Sequence, residues 1–244
     1  MIAIFKREMR AYFTTSIGYI FLAVALALSA IVLGVTTLLV KSSDTGMYFS
    51  FLLFVMMIIL PVLTMRTFSE EKKTKTEQLL LTAPISTFQM VMGKFLSSFC
   101  MLLIFLAVNC INFIPLFVYA DTTSSPVTAF PPNLSMIIGN IFAIILVGMC
   151  FIAVGIFISS LTENQFAAVV MTIAALLAFL LIGIFNGMIS SPLIRTVLSW
   201  LSIYNRYVNF TYAIFDVGAL IYYLSITGVF LFLTVRVFEA RKYR

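Results

Sequence analysis

Residues 60–89 read LPVLTMRTFSEEKKTKTEQLLLTAPISTFQ, and this run decides what kind of chain surrounds it. It is a long charged segment held between two very apolar ones. Four basic residues (Arg66, Lys72, Lys73, Lys75) and three acidic ones (Glu70, Glu71, Glu77) fall within it. The pattern predicts a short amphipathic helix with marked ends. Thr74 and Glu77 have capping-box spacing, in which a hydroxyl and a carboxylate three residues on satisfy each other's free backbone N–H groups. Leu79, Leu80 and Leu81 follow. Pro84 stops the helix, because the residue before a proline avoids helical geometry. Ser86 and Gln89 repeat the capping-box spacing and open the next helix.

On either side the chain is apolar for long distances. Hydrophobic residues make up 62% of it and charged residues 10%, against about 25% charged in an ordinary soluble domain. A hydrocarbon core about 30 Å thick needs about 20 apolar residues per helix. Six stretches qualify: Ile17–Val40, Met47–Met65, Phe95–Tyr119, Met136–Ser159, Phe166–Phe185 and Val217–Val235. None holds Asp, Glu, Lys or Arg. The alternating ten-residue segments of a barrel are missing. The expected fold is therefore an all-α membrane protein with six transmembrane helices in one domain, residues 1–244.

Orientation follows from the cations. With the N-terminus inside, twelve of the 15 Lys and Arg residues fall on inner segments, and only Lys41, Arg195 and Arg206 fall outside. This positive-inside bias places both termini in the cytoplasm. It also accounts for the net charge of +6, and no folded basic face is left for nucleic acid.

Residues 1–16 form a basic amphipathic segment, with Ile2, Phe5, Met9, Tyr12 and Phe13 on one side and Lys6, Arg7 and Arg10 on the other. Such a helix lies in the headgroup plane. The apolar run after it is 24 residues, too long for the core of a signal peptide, so the segment is expected to be retained. Asn109 and Asn112 in span three and Asn140 in span four are substrate-path candidates. Their other use is helix–helix hydrogen bonding, the commoner role of polar residues in spans. The outer loop from Asp121 to Asn133 is rich in Pro, Ser and Thr. After span four, Thr162 and Gln165 have capping-box spacing across a tight inner turn. Glu163 in that turn suits either a partner contact or simple pairing with the helix dipole. Residues 186–216 carry Leu193, Ile194, Val197, Leu198 and Leu201 at helical spacing, with Trp200 and Tyr204 as interface anchors. They predict short outer interfacial helices that serve gating or packing.

Several chemistries are excluded. No phosphate-binding loop is present, since Gly93-Lys94 lacks the upstream glycine and is followed by Phe95. The three cysteines (Cys100, Cys110, Cys150) lie within spans without CxxC spacing, so neither a zinc site nor disulfides are indicated. There is no histidine for a Ser–His or Cys–His nucleophile. Ion-driven carriers commonly place Asp, Glu or His within their spans, and these spans hold none. Energy for any transport is thus expected to enter through the inner segments.

The run EEKKTKTEQLLLTAPIS resembles the coupling-helix signature between spans two and three of type-2 ABC transporter permeases, EE-x-x-x-G-T-x-E-x-LL-x-x-P-[IV]-S. FKREMRAYF, SSLTENQ and YYLSITGVFLFLTVRVFEARK resemble the same family, most closely its gliding-motility branch. Departures are Lys75 where glycine is common, Thr15-Ser16-Ile17 for Ser-Pro, and Ala213 for a further glycine. The resemblance implies the permease subunit of an exporter in a cell membrane, that of a bacterial inner membrane, with no catalysis of its own. It implies a second permease, identical or different, and two copies of an ABC ATPase that hold ATP and Mg²⁺. An outer accessory protein also fits the family pattern. Matched to the motif, Glu70, Glu71, Thr76, Glu77, Leu79, Leu80 and Pro84 would dock the ATPase, with Glu163 as a second contact. A membrane protein that recruits a cytoplasmic partner without transporting is the alternative. An intramembrane enzyme is a third reading, poorly served by spans without acids or bases.

Overall fold

A backbone in lipid must satisfy its own hydrogen bonds, so apolar runs of this length fold as helices. The computed structural model describes residues 1–39, 45–76, 86–120, 133–185, 202–212 and 214–242. Among them are six helical stretches able to cross a membrane: Ser16–Leu38, Gly46–Lys73, Thr87–Phe117, Leu134–Leu161, Gln165–Gly183 and Val217–Lys242. These are spans one to six. No strand occurs among the described residues. The expected all-α architecture of six spans is what the chain forms.

Helix α1 (Ile2–Thr14) precedes span one, which is α2 (Ser16–Leu33) closed by a π-turn at Gly34–Leu38. Span two is α3 (Gly46–Thr64), and α4 (Arg66–Lys73) continues it after a break at Met65. Span three is α5 (Thr87–Asn109), followed by a 3₁₀ turn at Cys110–Phe113 and α6 (Ile114–Ala120). Spans four, five and six are α7 (Leu134–Leu161), α8 (Gln165–Phe185) and α10 (Val217–Lys242). The short α9 (Ile203–Thr211) lies before span six.

Span four is the axis, with 72% of its apolar window buried against 28% for spans one, five and six. Gly155 makes one close approach possible: a Cβ there would sit 2.2 Å from Thr64 Oγ1 of span two. At the α1–span one corner, a Cβ on Gly18 would lie 2.3 Å from the Tyr12 carbonyl oxygen, so the corner closes on a glycine.

The breaks have local causes. Pro61 lies inside α3, one turn before the turn at Met65. A proline removes one N–H and crowds the carbonyl four residues back. Pro115 has the same effect on the backbone before it, where the helix tightens to 3₁₀ at Cys110–Phe113.

Ser86 does cap α5, accepting from the Gln89 N–H at 3.3 Å. At the turn after span four the cap is Asn164 instead of Thr162. Asn164 Oδ1 accepts from the Phe166 N–H at 3.0 Å, while the Thr162 hydroxyl donates back to the Ile158 carbonyl at 3.2 Å. Threonine close behind a helix end has that competing acceptor within reach.

The face of α1 is also rotated from the expected one. Ile4 and Tyr12 are buried against span three and Glu8 turns the same way, whereas Ile2 and Phe13 are exposed. The helix thus has two apolar edges, one for the protein and one left outward.

Candidate functional site

The charged end of the bundle is built around α4. Its N-cap, Met65, has no side-chain oxygen, so the first N–H groups of the helix need another acceptor. Span four supplies it. The buried Ser159 hydroxyl accepts from the N–H groups of Phe68 and Ser69, each at 3.2 Å, and donates to the Met65 carbonyl at 3.0 Å. The Phe68 ring packs on Phe238 of span six with centroids 4.5 Å apart. Arg241, one turn on, donates to the Ser160 carbonyl at the end of span four at 2.7 Å.

The remaining face of α4 carries a buried ion cluster. Lys94, in the third turn of α5, has a side chain only 1% exposed. Its ammonium lies 2.8 Å from Glu71 Oε1 and 3.3 Å from Glu8 Oε1, donates to the Thr67 carbonyl, and stands 4.8 Å from the Phe68 ring centre. Arg7 bridges the same two acids from the rim, 2.7 Å from Glu8 and 2.8 Å from Glu71. Two cations and two carboxylates therefore balance across α1, α4 and α5. The balance is needed, since burying an ion costs several kcal/mol unless its partner and its hydrogen bonds replace water. Burial pushes the Glu8 carboxyl up, but Lys94 and Arg7 together outweigh it and hold the group below its ordinary 4.5. Burial likewise lowers Arg7, and Glu8 and Glu71 more than reverse it. Tyr12, one turn beyond Glu8, is pushed up to about 12 by burial, although its hydroxyl meets Ser98 at 3.2 Å. Glu71 Oε2 is buried with no hydrogen-bond partner among the described residues.

The expected site residues divide accordingly. Glu71 turns inward to Lys94 and Arg7. Glu70 pairs with Arg66 one turn back, at 2.5 and 2.7 Å. Glu163, largely exposed, reaches Lys72 at 3.2 Å and so joins the turn after span four to α4. Thr76 donates to the Glu71 carbonyl at 3.3 Å and meets the Thr74 hydroxyl at 3.0 Å. Glu77, Leu79, Leu80 and Pro84 lie outside the described residues. Thr74 closes α4, while the helix it was expected to open, with Glu77, lies outside the described residues. Its N–H and its hydroxyl both go to the Glu70 carbonyl, each at 2.9 Å. The reason is upstream: the Arg66–Glu70 pair and the C-terminal Lys72 and Lys73 favour helix before Thr74. Lys75 then adopts φ 58°, the left-handed region that glycine enters without steric cost.

The span asparagines tie helices together. Asn109 accepts from Ser29 of span one at 2.7 Å and donates to Tyr48 of span two at 2.8 Å. Asn112 donates to Ser29 at 3.2 Å and to Asn109 at 2.9 Å. Asn140 donates to the Met136 carbonyl at 2.8 Å and accepts from Tyr207 of α9 at 3.4 Å. Ile203, Tyr207 and Phe210 are buried as α9 packs on spans four and five, and Tyr204 sits near Phe54. Asp216 caps span six through the Gly218 and Ala219 N–H groups. Its bond from Asn209, helped by those two, holds its carboxyl below the usual range. Residues 186–201, with Trp200 and the leucine series, lie outside the described residues.

Sequence reasoning passed over Lys94, Glu8 and Ser159. Lys94 and Glu8 left a signal: each is the lone charge of its sign in its helix, α5 for Lys94 and α1 for Glu8. Ser159 left none, because its role depends on which helix end packs beside it.

A family model described as ABC-2 family transporter protein matches residues 11–237 of this chain. No curated protein matches it. The chain belongs to the ABC-2 transporter family and is a membrane component of that family's multi-pass type.

Proposed function

We propose that this ABC-2 family chain is the membrane-spanning permease subunit of an ATP-driven exporter of the gliding-motility branch, working in a bacterial inner membrane with both termini inside. Two copies of an ABC ATPase, carrying ATP and Mg²⁺, would dock on the segment 66–89, and a second permease, identical or different, would complete the pore. One observation supports this mechanical role. Helix α4, which leads into the docking segment, is held at once by α1 and by spans three, four and six through Glu71, Ser159 and Phe68. A push on residues beyond Lys75 would therefore reach most of the bundle as one displacement. Rigid, hydrogen-bonded helix junctions are the kind of contiguous network through which such coupling travels. Asn109, Asn112 and Asn140 remain proposed substrate-path positions, next to their packing role.

The experiment is co-purification from native membranes, with mass spectrometry of the partners and an ATP hydrolysis assay. An ABC ATPase is expected in equal number with permease subunits, and hydrolysis only with it. A complex lacking any ATPase, or robust hydrolysis by the chain alone, would refute the subunit reading. Cysteines introduced at Lys75 and Ser125 should label from opposite sides of intact cells.

A further inference from the structure

The inner edge of α1 closes on span three where Ile4 packs on Gly93, at a position where an added Cβ would meet Ile4 at 3.0 Å. Beside this contact the two helices diverge. They leave an open groove of about 360 Å³ with Ile2 and Phe5 on one wall and Leu96, Phe99 and Leu103 on the other. Every lining side chain is apolar or, at Cys100, a thiol. From Leu96 to Leu103 the wall runs about 10 Å along span three, at 1.5 Å per residue. The groove is therefore a slot two helical turns long, of a volume in the range of ligand sites, about 300–1,000 Å³.

The charges on the helix that forms one wall select the occupant. Lys6 lies one turn from Ile2, and Arg10 one turn further along the same helix. Both are exposed, and neither has an ion-pair partner among the described residues. Arg7, by contrast, is engaged with Glu8 and Glu71. The basic edge of α1 is thus split into a cation used inside the protein and two left for something outside it. An apolar slot whose helical wall carries two cations without an ion-pair partner among the described residues fits a molecule with a hydrocarbon tail and an anionic head.

We propose that this groove seats one acyl chain of an anionic phospholipid whose phosphate is held by Lys6 and Arg10. A zwitterionic lipid brings the same phosphate with its own cation beside it, which offsets the attraction of Lys6 and Arg10, and a neutral lipid brings no phosphate. The orientation proposed above decides only which leaflet supplies the lipid. The site itself is tested in symmetric nanodiscs, so its failure is separate from a failure of topology or transport.

The test uses the full chain in nanodiscs containing phosphatidylglycerol or phosphatidylcholine with the same photoreactive diazirine acyl chain. Peptide mass spectrometry then counts adducts on residues 1–10 and 96–103. Phosphatidylglycerol is expected to label the groove well above phosphatidylcholine, by roughly fivefold for each cation near the anionic head. Lys6→Gln with Arg10→Gln should bring its labelling down to the phosphatidylcholine level. Both side chains are exposed, so that variant keeps the fold. Leu96→Trp, which fills the slot, should lower labelling by both lipids. Equal labelling by the two lipids, or phosphatidylglycerol labelling indifferent to the double substitution, overturns the proposal. So does thiol cross-linking of Cys100 between two copies, which would give the groove to a second chain.

Discussion

Replacing Lys94 by methionine keeps the length of the side chain and removes only the charge and its donors. Lys94 is 1% exposed and satisfies Glu71, Glu8 and the Thr67 carbonyl together. Without it, two part-buried carboxylates are left with Arg7, whose own side chain is 51% exposed and so screened by water. Removing one partner of a buried ion pair costs about 3–5 kcal/mol. Arg7 still shields both acids here, and each is 15–16% exposed, so about 3 kcal/mol is the expected loss. For a chain of this size that corresponds to a fall in Tm of roughly 6–12 °C, at about 2–4 °C per kcal/mol. The assay is thermal unfolding in detergent, with a double-mutant cycle over Lys94→Met and Glu71→Gln. The cycle should be non-additive by about 1–3 kcal/mol, because the residues share one contact. A triple variant with Glu8→Gln as well should recover much of the loss, since apolar and neutral replacements of a buried ion cluster are often tolerated. Arg66→Ala, which breaks a half-exposed pair, should cost about 1 kcal/mol or less. Wild-type stability in Lys94→Met, or an additive cycle, would refute the claim that this cluster joins α1, α4 and α5.

Docking of α1 should depend on acid pH. The Glu8 carboxyl is lower in the folded chain than its ordinary 4.5, so its contribution is complete above that value and is lost as pH falls below it through the folded pKa. Protection of the α1 amides against hydrogen exchange should fall in that window, and Glu8→Gln should lower it at every pH. Ser159→Ala takes the side-chain acceptor from the N–H groups of Phe68 and Ser69, while the Met65 carbonyl keeps the Ser69 hydroxyl, and should cost about 1–2 kcal/mol in the same unfolding assay. Lys75→Gly should stabilise the fold by about 0.5–1 kcal/mol of relieved strain, seen as a small rise in Tm, because a Cβ is disfavoured at φ 58°. Lys75→Val should lower it.

What the amino-acid sequence determined by itself is the membrane class, the six spans and their approximate ends. These follow from length and composition alone, because lipid punishes every unpaired backbone group and every charge regardless of neighbours. The cap at Ser86 was legible for a similar reason, being made within one turn of chain. The coupling signature likewise pointed to the family that the match across residues 11–237 shows. The tertiary structure alone decided which charges are spent inside the protein. Glu71 reads in sequence as one more acid in an exposed run, yet its partners stand 23 and 64 positions away, at Lys94 and Arg7. Ser159 caps a helix about 90 residues before it. Such pairings depend on how α1 and spans two, three and four cross, and that crossing is set by close approaches such as Gly155 on Thr64 and Ile4 on Gly93. Helical periodicity tells which side of a helix is apolar, but it does not tell which neighbour will cover it. On α1 that difference places Glu8 in the protein and leaves Ile2 facing out.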